Sequence, residues 1–198
     1  MYPIKLNVNP HGWRLLMQRK LDRRFEEFSQ KIWQRDKFTC QFCGLESKKH
    51  QEVINLDQNY HNNKLSNLVT ACSLCTQCFF LESVETYCGG NLIYLPEISQ
   101  NHLNGFCHLV FTAMNNETKY KETAQNVYRN LKLRAQVLED EWGAQMQEPS
   151  IFGQLIIESE NKALLDKKIF GAIRLLPSRA GFRYQSTDWS RSITTLLQ

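Results

Sequence analysis

Two cysteine knuckles, Cys40-Gln41-Phe42-Cys43 and Cys72-Ser73-Leu74-Cys75, stand 28 residues apart in this chain. Each lets two thiolates reach one metal from a single tight turn. Four sulfurs in this arrangement make a closed tetrahedral site with no open coordination position. The spacing predicts one structural Zn2+ held by Cys40, Cys43, Cys72 and Cys75. The competing reading is four free or redox-active thiols. Seven cysteines are present, an odd number that argues against a complete disulfide framework and suits a reducing compartment. Cys78, three residues past the last knuckle cysteine, reads as a buried thiol beside the site or a competing ligand. Cys88 and Cys107 have apolar neighbours and read as core thiols. His50 and His61 flank the inter-knuckle loop and read as solvated loop histidines rather than ligands.

The 198 residues are enough for one domain, or for a core module with an extension. No apolar run approaches the roughly 18–20 residues of a membrane span. Met1-Tyr2-Pro3-Ile4-Lys5-Leu6 lacks the long apolar stretch of a secretory signal, so a cytoplasmic location is the expectation. Charge is uneven. Residues 1–37 hold nine bases and four acids, for a net +5, and the remainder carries −1. Such a segment suits nucleic acid, an acidic partner or anionic lipid, or it is simply a solvated helix face.

Periodicity outlines the rest. Leu21, Phe25, Phe28 and Ile32 recur at helical spacing and predict a helix from about Trp13 to Gln34. Val53-Ile54-Asn55-Leu56 predicts a short hairpin with a polar loop. A helix is expected from the second knuckle through Phe79, Phe80 and Val84. Asn91 to Leu95 reads as a strand ended by Pro96. Leu103, Phe106, Leu109 and Val110 mark a helix. Ala124, Val127, Tyr128, Leu131, Ala135, Leu138 and Trp142 predict an amphipathic helix from about Asn116 to Trp142. Pro149 restarts the chain, the apolar Phe170 to Pro177 segment has no clear type, and the tail from Ser178 is polar with scattered aromatics. The boundaries predicted are 1–90 for a basic helix plus zinc module and 91–198 for a helical extension packed on it.

Arg35-Asp36-Lys37-Phe38-Thr39-Cys40-Gln41-Phe42-Cys43-Gly44 and Leu65-Ser66-Asn67-Leu68-Val69-Thr70-Ala71-Cys72-Ser73-Leu74-Cys75 resemble an HNH endonuclease domain of the zinc-knuckle type. The resemblance covers about residues 30–85. Together with the helical periodicity of the second half, it implies an α+β fold, mainly helical, with a small HNH-like ββα zinc-knuckle module and a helical C-terminal extension. It also exposes a loss. The family's Asp-His pair at the end of the first strand falls on Ile54 and Asn55, and its His or Asn after the last cysteine falls on Thr76. An asparagine amide cannot take a proton near neutral pH as histidine does. Only the central Asn67 remains, and the family gives it a loop-ordering role. His61 is the one candidate replacement base, in an unusual register. No catalytic residue is therefore assigned.

Over nearly its full length the chain resembles the IcmJ/DotN family of Dot/Icm type IVB secretion subunits. The Trp13-Arg14-Leu15 helix, the degenerate HNH core, Leu92 to Glu97, the long helix and Phe170 to Arg179 carry the likeness. That resemblance implies a non-enzymatic adaptor at the cytosolic face of the inner membrane. It would bind the C-terminal tail of the coupling ATPase DotL, beside the adaptors IcmS, IcmW and LvgA, in a platform that recruits effectors. Membrane contact would be indirect, through the coupling protein. The alternatives are an HNH-derived nucleic-acid binder and a metal-dependent nuclease. For a partner surface, the aromatics Trp142, Phe152, Phe170, Phe182 and Trp189 are either all core or partly exposed. In the second case Phe182 and Trp189, beside Arg174, Arg179 and Arg183, would line a groove for an extended tail.

Overall fold

The computed structural model describes residues 1–116, 119–159 and 170–197. It is α+β and mainly helical, with two small antiparallel sheets. The basic N-terminal segment forms two helices, α1 (Pro10–Leu21) and α2 (Arg23–Arg35), where the sequence predicts one. Asp22 makes the break. Its backbone is extended and its carboxylate accepts from Arg24 N, so it caps a new helix inside the expected one. Leu21 consequently falls at the elbow and is exposed, while Ile32 is buried against Val53 and Leu68.

The predicted hairpin is β1 (Gln51–Asn55) paired with β2 (Leu68–Cys72), in a register that sets Gln51 opposite Cys72 and Asn55 opposite Leu68. The helix expected after the second knuckle is broken. It consists of α3 (Ser73–Thr76), two 3-10 turns at Gln77–Phe79 and Leu81–Ser83, and α4 (Val84–Tyr87). The N-terminal arm is the cause. Asn7 donates its N–H to Cys78 O and accepts from Leu81 N, so these groups bond sideways instead of along a helix.

The second sheet joins β3 (Gly90–Tyr94) to the untyped apolar segment, which is β4 (Ile173–Pro177). Between them come α5 (Gln100–Asn115), α6 (Lys121–Leu133), α7 (Gln136–Trp142) and α8 (Pro149–Glu158). The long helix predicted from Asn116 to Trp142 is thus divided, and its positions 117–118 lie outside the described residues. At the division the Arg134 carbonyl accepts from Tyr94 N, and its guanidinium forks onto Glu97 at 2.8 and 2.9 Å. The kink seals part of the β3 edge. Trp142, Phe152 and Phe170 stack together with centroids 5.6–6.4 Å apart.

The last helix, α9 (Arg183–Leu197), packs on α5. Phe182, Ser186, Trp189 and Ser190 face inward at helical spacing and are buried. Gly181 sits against the Cys88 carbonyl, so closely that a methyl group would overlap it. One cluster of buried side chains runs from Ile4 to Trp189. Gly181→Ala should lower stability by about 1–3 kcal/mol through this backbone clash, read from urea unfolding followed by tryptophan fluorescence.

Candidate metal centre

The four knuckle sulfurs lie within 4.8 Å of one another, and three of the four residues are fully buried. Cys43 Sγ and Cys72 Sγ are 3.6 Å apart. Two sulfurs at ~2.3 Å from one tetrahedral ion would be roughly 3.8 Å apart, so the cluster has the size of such a site. Local geometry explains it. In the first knuckle Gly44 has φ +80°, and Gly44 N donates to Cys40 O at 3.0 Å. Glycine takes that left-handed turn without steric cost. In the second, Cys72 ends β2 and Cys75 lies in α3, one turn on.

Hydrogen bonds from Cys40, Cys72 and Cys75 hold the Cys43 thiol well below its ordinary range. Burial pushes the Cys72 and Cys75 thiols well above theirs. Packed sulfurs alone share out protons in this way. A divalent cation favours the thiolate at every position. The donor set and spacing fit such an ion. Cys78 is outside the cluster: its Sγ donates to Leu74 O at 3.3 Å, and burial pushes its thiol up to about 12.

Two residues that the sequence did not single out complete the surroundings. Asn104 Nδ2 donates to Cys75 Sγ at 3.3 Å, and His108 Nε2 lies 3.3 Å from Cys72 Sγ. Both are buried on α5. Their signal was available. Gln100, Asn104 and His108 recur every four residues and form a polar line on a face that also carries Leu103 and Cys107. Gln100 uses it to clamp both backbone groups of Leu175, at 2.8 Å each. Trp189 then packs its ring edge-on to His108, centroids 4.6 Å apart.

The positions that the nuclease resemblance marks are committed to structure. Asn55 is fully buried at the end of β1. Its Oδ1 accepts from Arg19 Nη1 at 2.7 Å, and its Nδ2 donates to Asn59 O and Asn62 O at 2.9 and 2.7 Å. Ile54 is core. Thr76 is also buried, and its hydroxyl donates to Cys72 O at 3.2 Å. Asn67 holds the loop through Asp57 N, Asp57 Oδ1 and Asn62 O. His61 lies at the surface with its Nε2 3.1 Å from that of His11. His50 Nε2 is 2.9 Å from Asp188 Oδ2.

No family model matches the chain. It is 52% identical over 192 residues to the type 4 apparatus protein DotN of Legionella pneumophila subsp. pneumophila (strain Philadelphia 1), across 96% of this chain and 90% of that protein. The chain belongs to the DotN family.

Within this DotN-family chain the expected aromatic groove is corrected. Phe182 is 0% and Trp189 1% exposed, so neither reaches a partner from the surface. Arg174 is turned onto its own fold, donating to Ile98 O, Gly171 O and Ile173 O at 2.6–2.7 Å. Arg179 lies over the end of α5, with its backbone N–H on the Tyr128 hydroxyl at 3.0 Å. The surface aromatic of this region is Tyr184. Much of the basic N-terminal segment is also structural. Arg19 holds Asn55, Lys20 holds Glu52 at 2.7 Å, and Arg35 donates to Leu65 O and Leu68 O at 2.8 and 2.6 Å.

Two outcomes follow from this geometry. Trp189→Ala should cost about 3–5 kcal/mol of stability, as expected for a buried indole. In the same denaturation experiment Tyr184→Ala should change stability by no more than about 0.5 kcal/mol. Asn104→Ala and His108→Ala should each weaken metal retention about 10–100-fold, as loss of a ligand's outer hydrogen-bond partner does. Competition against a chromogenic chelator measures this.

Proposed function

We propose that this chain is a non-enzymatic, zinc-stapled subunit of a type IVB secretion coupling complex. In this reading it binds the C-terminal tail of the coupling ATPase DotL and helps build the platform that also holds IcmS, IcmW and LvgA and recruits effectors. The observation that carries the reading is the near full-length identity with a type 4 apparatus protein. A second line of support is chemical. The position that would need a proton acceptor is Asn55, whose two amide ends are tied to Arg19, Asn59 and Asn62. A general base must be free to reach its proton, and this one has neither the chemistry nor the freedom. The four-cysteine cluster has the sulfur donors and closed geometry that zinc favours in structural sites.

Among the described residues no helix is long and apolar enough to cross a membrane. The proposed place at the cytosolic face of the inner membrane therefore rests on docking to the coupling protein. Exposed Arg14, Arg23, Arg24 and Lys31 leave some positive charge on the first two helices, which keeps nucleic-acid binding as the competing reading.

Isothermal titration of the purified chain with the coupling ATPase's C-terminal tail should give a one-to-one complex. Plasmid incubated with the chain and magnesium, manganese, nickel or zinc should stay uncut, and Asn55→His alone should not create cleavage, because Ile54 and Thr76 supply no metal ligand. Absence of tail binding, together with DNA affinity that falls steeply with salt, would replace the adaptor reading with the nucleic-acid one.

A further inference from the structure

Two histidines outside the cysteine cluster meet at the surface. His11 Nε2, in the first turn of α1, lies 3.1 Å from His61 Nε2, in the loop between β1 and β2. The ring centroids are 5.3 Å apart and the ring planes are inclined by 36°. The two nitrogens are thus much closer than the rings, which approach tip to tip instead of stacking. Each Nε2 carries either a proton or a lone pair. Two protons would collide at this distance and two lone pairs would repel. The contact needs one shared hydrogen or one shared cation.

The spacing suits a cation. Zinc binds imidazole nitrogen at ~2.0–2.1 Å, and two such nitrogens on one tetrahedral ion stand roughly 3.3 Å apart. Imidazole suits Zn2+, Ni2+ and Cu2+, whereas harder cations prefer oxygen. Both rings are exposed, so water can complete the coordination shell. Among the described residues no third His, Cys, Asp or Glu joins the pair. The site is therefore open, in contrast to the closed site at the four sulfurs. The remaining three histidines are committed elsewhere: His50 to Asp188, His102 to Ser99 and His108 to Cys72.

The backbones that carry the two rings are already tied together. Asn9 caps α1 by accepting from Gly12 N at 2.8 Å, and its Nδ2 donates to Gln58 O at 2.9 Å, in the same loop as His61. Farther along α1, Arg19 donates to Tyr60 O, the carbonyl that precedes His61, and to Asn63 Oδ1. The loop is also pinned from within. His61 N donates to Asn59 Oδ1 at 3.1 Å, and Asn59 N to Asp57 Oδ1 at 2.9 Å. On the other side, Pro10 fixes the entry into α1 directly before His11. An ion placed here has little chain left to order, which is the cost that preorganisation removes. We infer that His11 and His61 form a second metal site, an open two-histidine site for a divalent late first-row transition ion such as Zn2+ or Ni2+. The ion clamps α1 to the inter-knuckle loop. Two imidazoles hold it more weakly than four thiolates hold theirs, so it is taken up from added metal and not retained through purification. The inference uses none of the cysteine ligands and stands apart from the secretion partner proposed above.

The test is a zinc titration of the full-length chain, produced without a polyhistidine tag and followed by NMR of the imidazole rings. Added Zn2+ should shift the His11 and His61 rings together and saturate at one ion, with the His102 ring unmoved. Mg2+, which prefers oxygen ligands, should move neither. Isothermal titration should show wild type taking up one ion more than His11→Ala or His61→Ala, whatever the cysteines hold, and His102→Ala should match wild type. Added zinc should raise the melting temperature of wild type and of His102→Ala through binding to the folded state, and of neither pair variant. Both substitutions lie at the surface, and melting without added metal confirms that the variants fold. Rings that stay unshifted in excess zinc, or a pair variant that takes up as many ions as wild type, would leave a hydrogen-bonded pair only and overturn the inference.

Discussion

Four sulfurs gathered in the interior are the point on which distant segments of the fold converge. Cys40, Cys72 and Cys75 are fully buried, and the segment between the knuckles is polar along much of its length. Its hairpin is nevertheless packed, with Ile54, Tyr60 and Val69 in the core, and an ion held by the four sulfurs would join the two ends of that segment. The rest of the molecule is built onto that point. Tyr2 N donates to Gln41 O in the first knuckle, and Asn101 bridges Ile4 N, Tyr2 O and Phe42 O. The polar face of α5 then meets the sulfurs through Asn104 and His108, and Trp189 of α9 closes over His108. Residues from both ends of the sequence thus converge on one cluster.

Beside this cluster, the positions that the nuclease resemblance marks are held in structural contacts. The guanidinium of Arg19 reaches from α1 to Asn55 and, through Tyr60 O and Asn63, ties the inter-knuckle loop to the first helix. Burial lowers the Arg19 guanidinium's affinity for its proton, yet arginine stays charged under such conditions. A carboxamide is the right acceptor here, since it satisfies the cation on one side and two backbone carbonyls on the other. Histidine could not make all three bonds. The geometry thus gives a physical reason for asparagine at this position that has nothing to do with catalysis.

Fold class, the four-cysteine cluster and the hairpin were legible in the sequence because each rests on a short-range pattern: knuckle spacing, alternation, apolar periodicity. What was misread depended on contacts between distant segments. The single first helix overlooked Asp22 as an internal cap. The continuous helix after Cys75 could not show that Asn7 would bond sideways to Cys78 and Leu81. The long helix near Arg134 hid a kink whose carbonyl serves β3. Phe182 and Trp189 looked available for a partner because their neighbours in sequence are polar. They are buried because helical spacing gathers them, with Ser186 and Ser190, onto the one face of α9 that meets α5. His108 and Asn104 were missed because a knuckle motif names ligands and not the residues that orient them.

The most direct measurement is metal content followed through unfolding. Elemental analysis of the purified chain should find one zinc per molecule. Stripping it with a strong chelator should abolish the cooperative thermal transition, because the metal's binding free energy is part of the folding free energy. Cys72→Ser should reproduce the stripped state without chelator. A chain that carries no zinc and melts cooperatively, unchanged by chelator or by that substitution, would contradict the account.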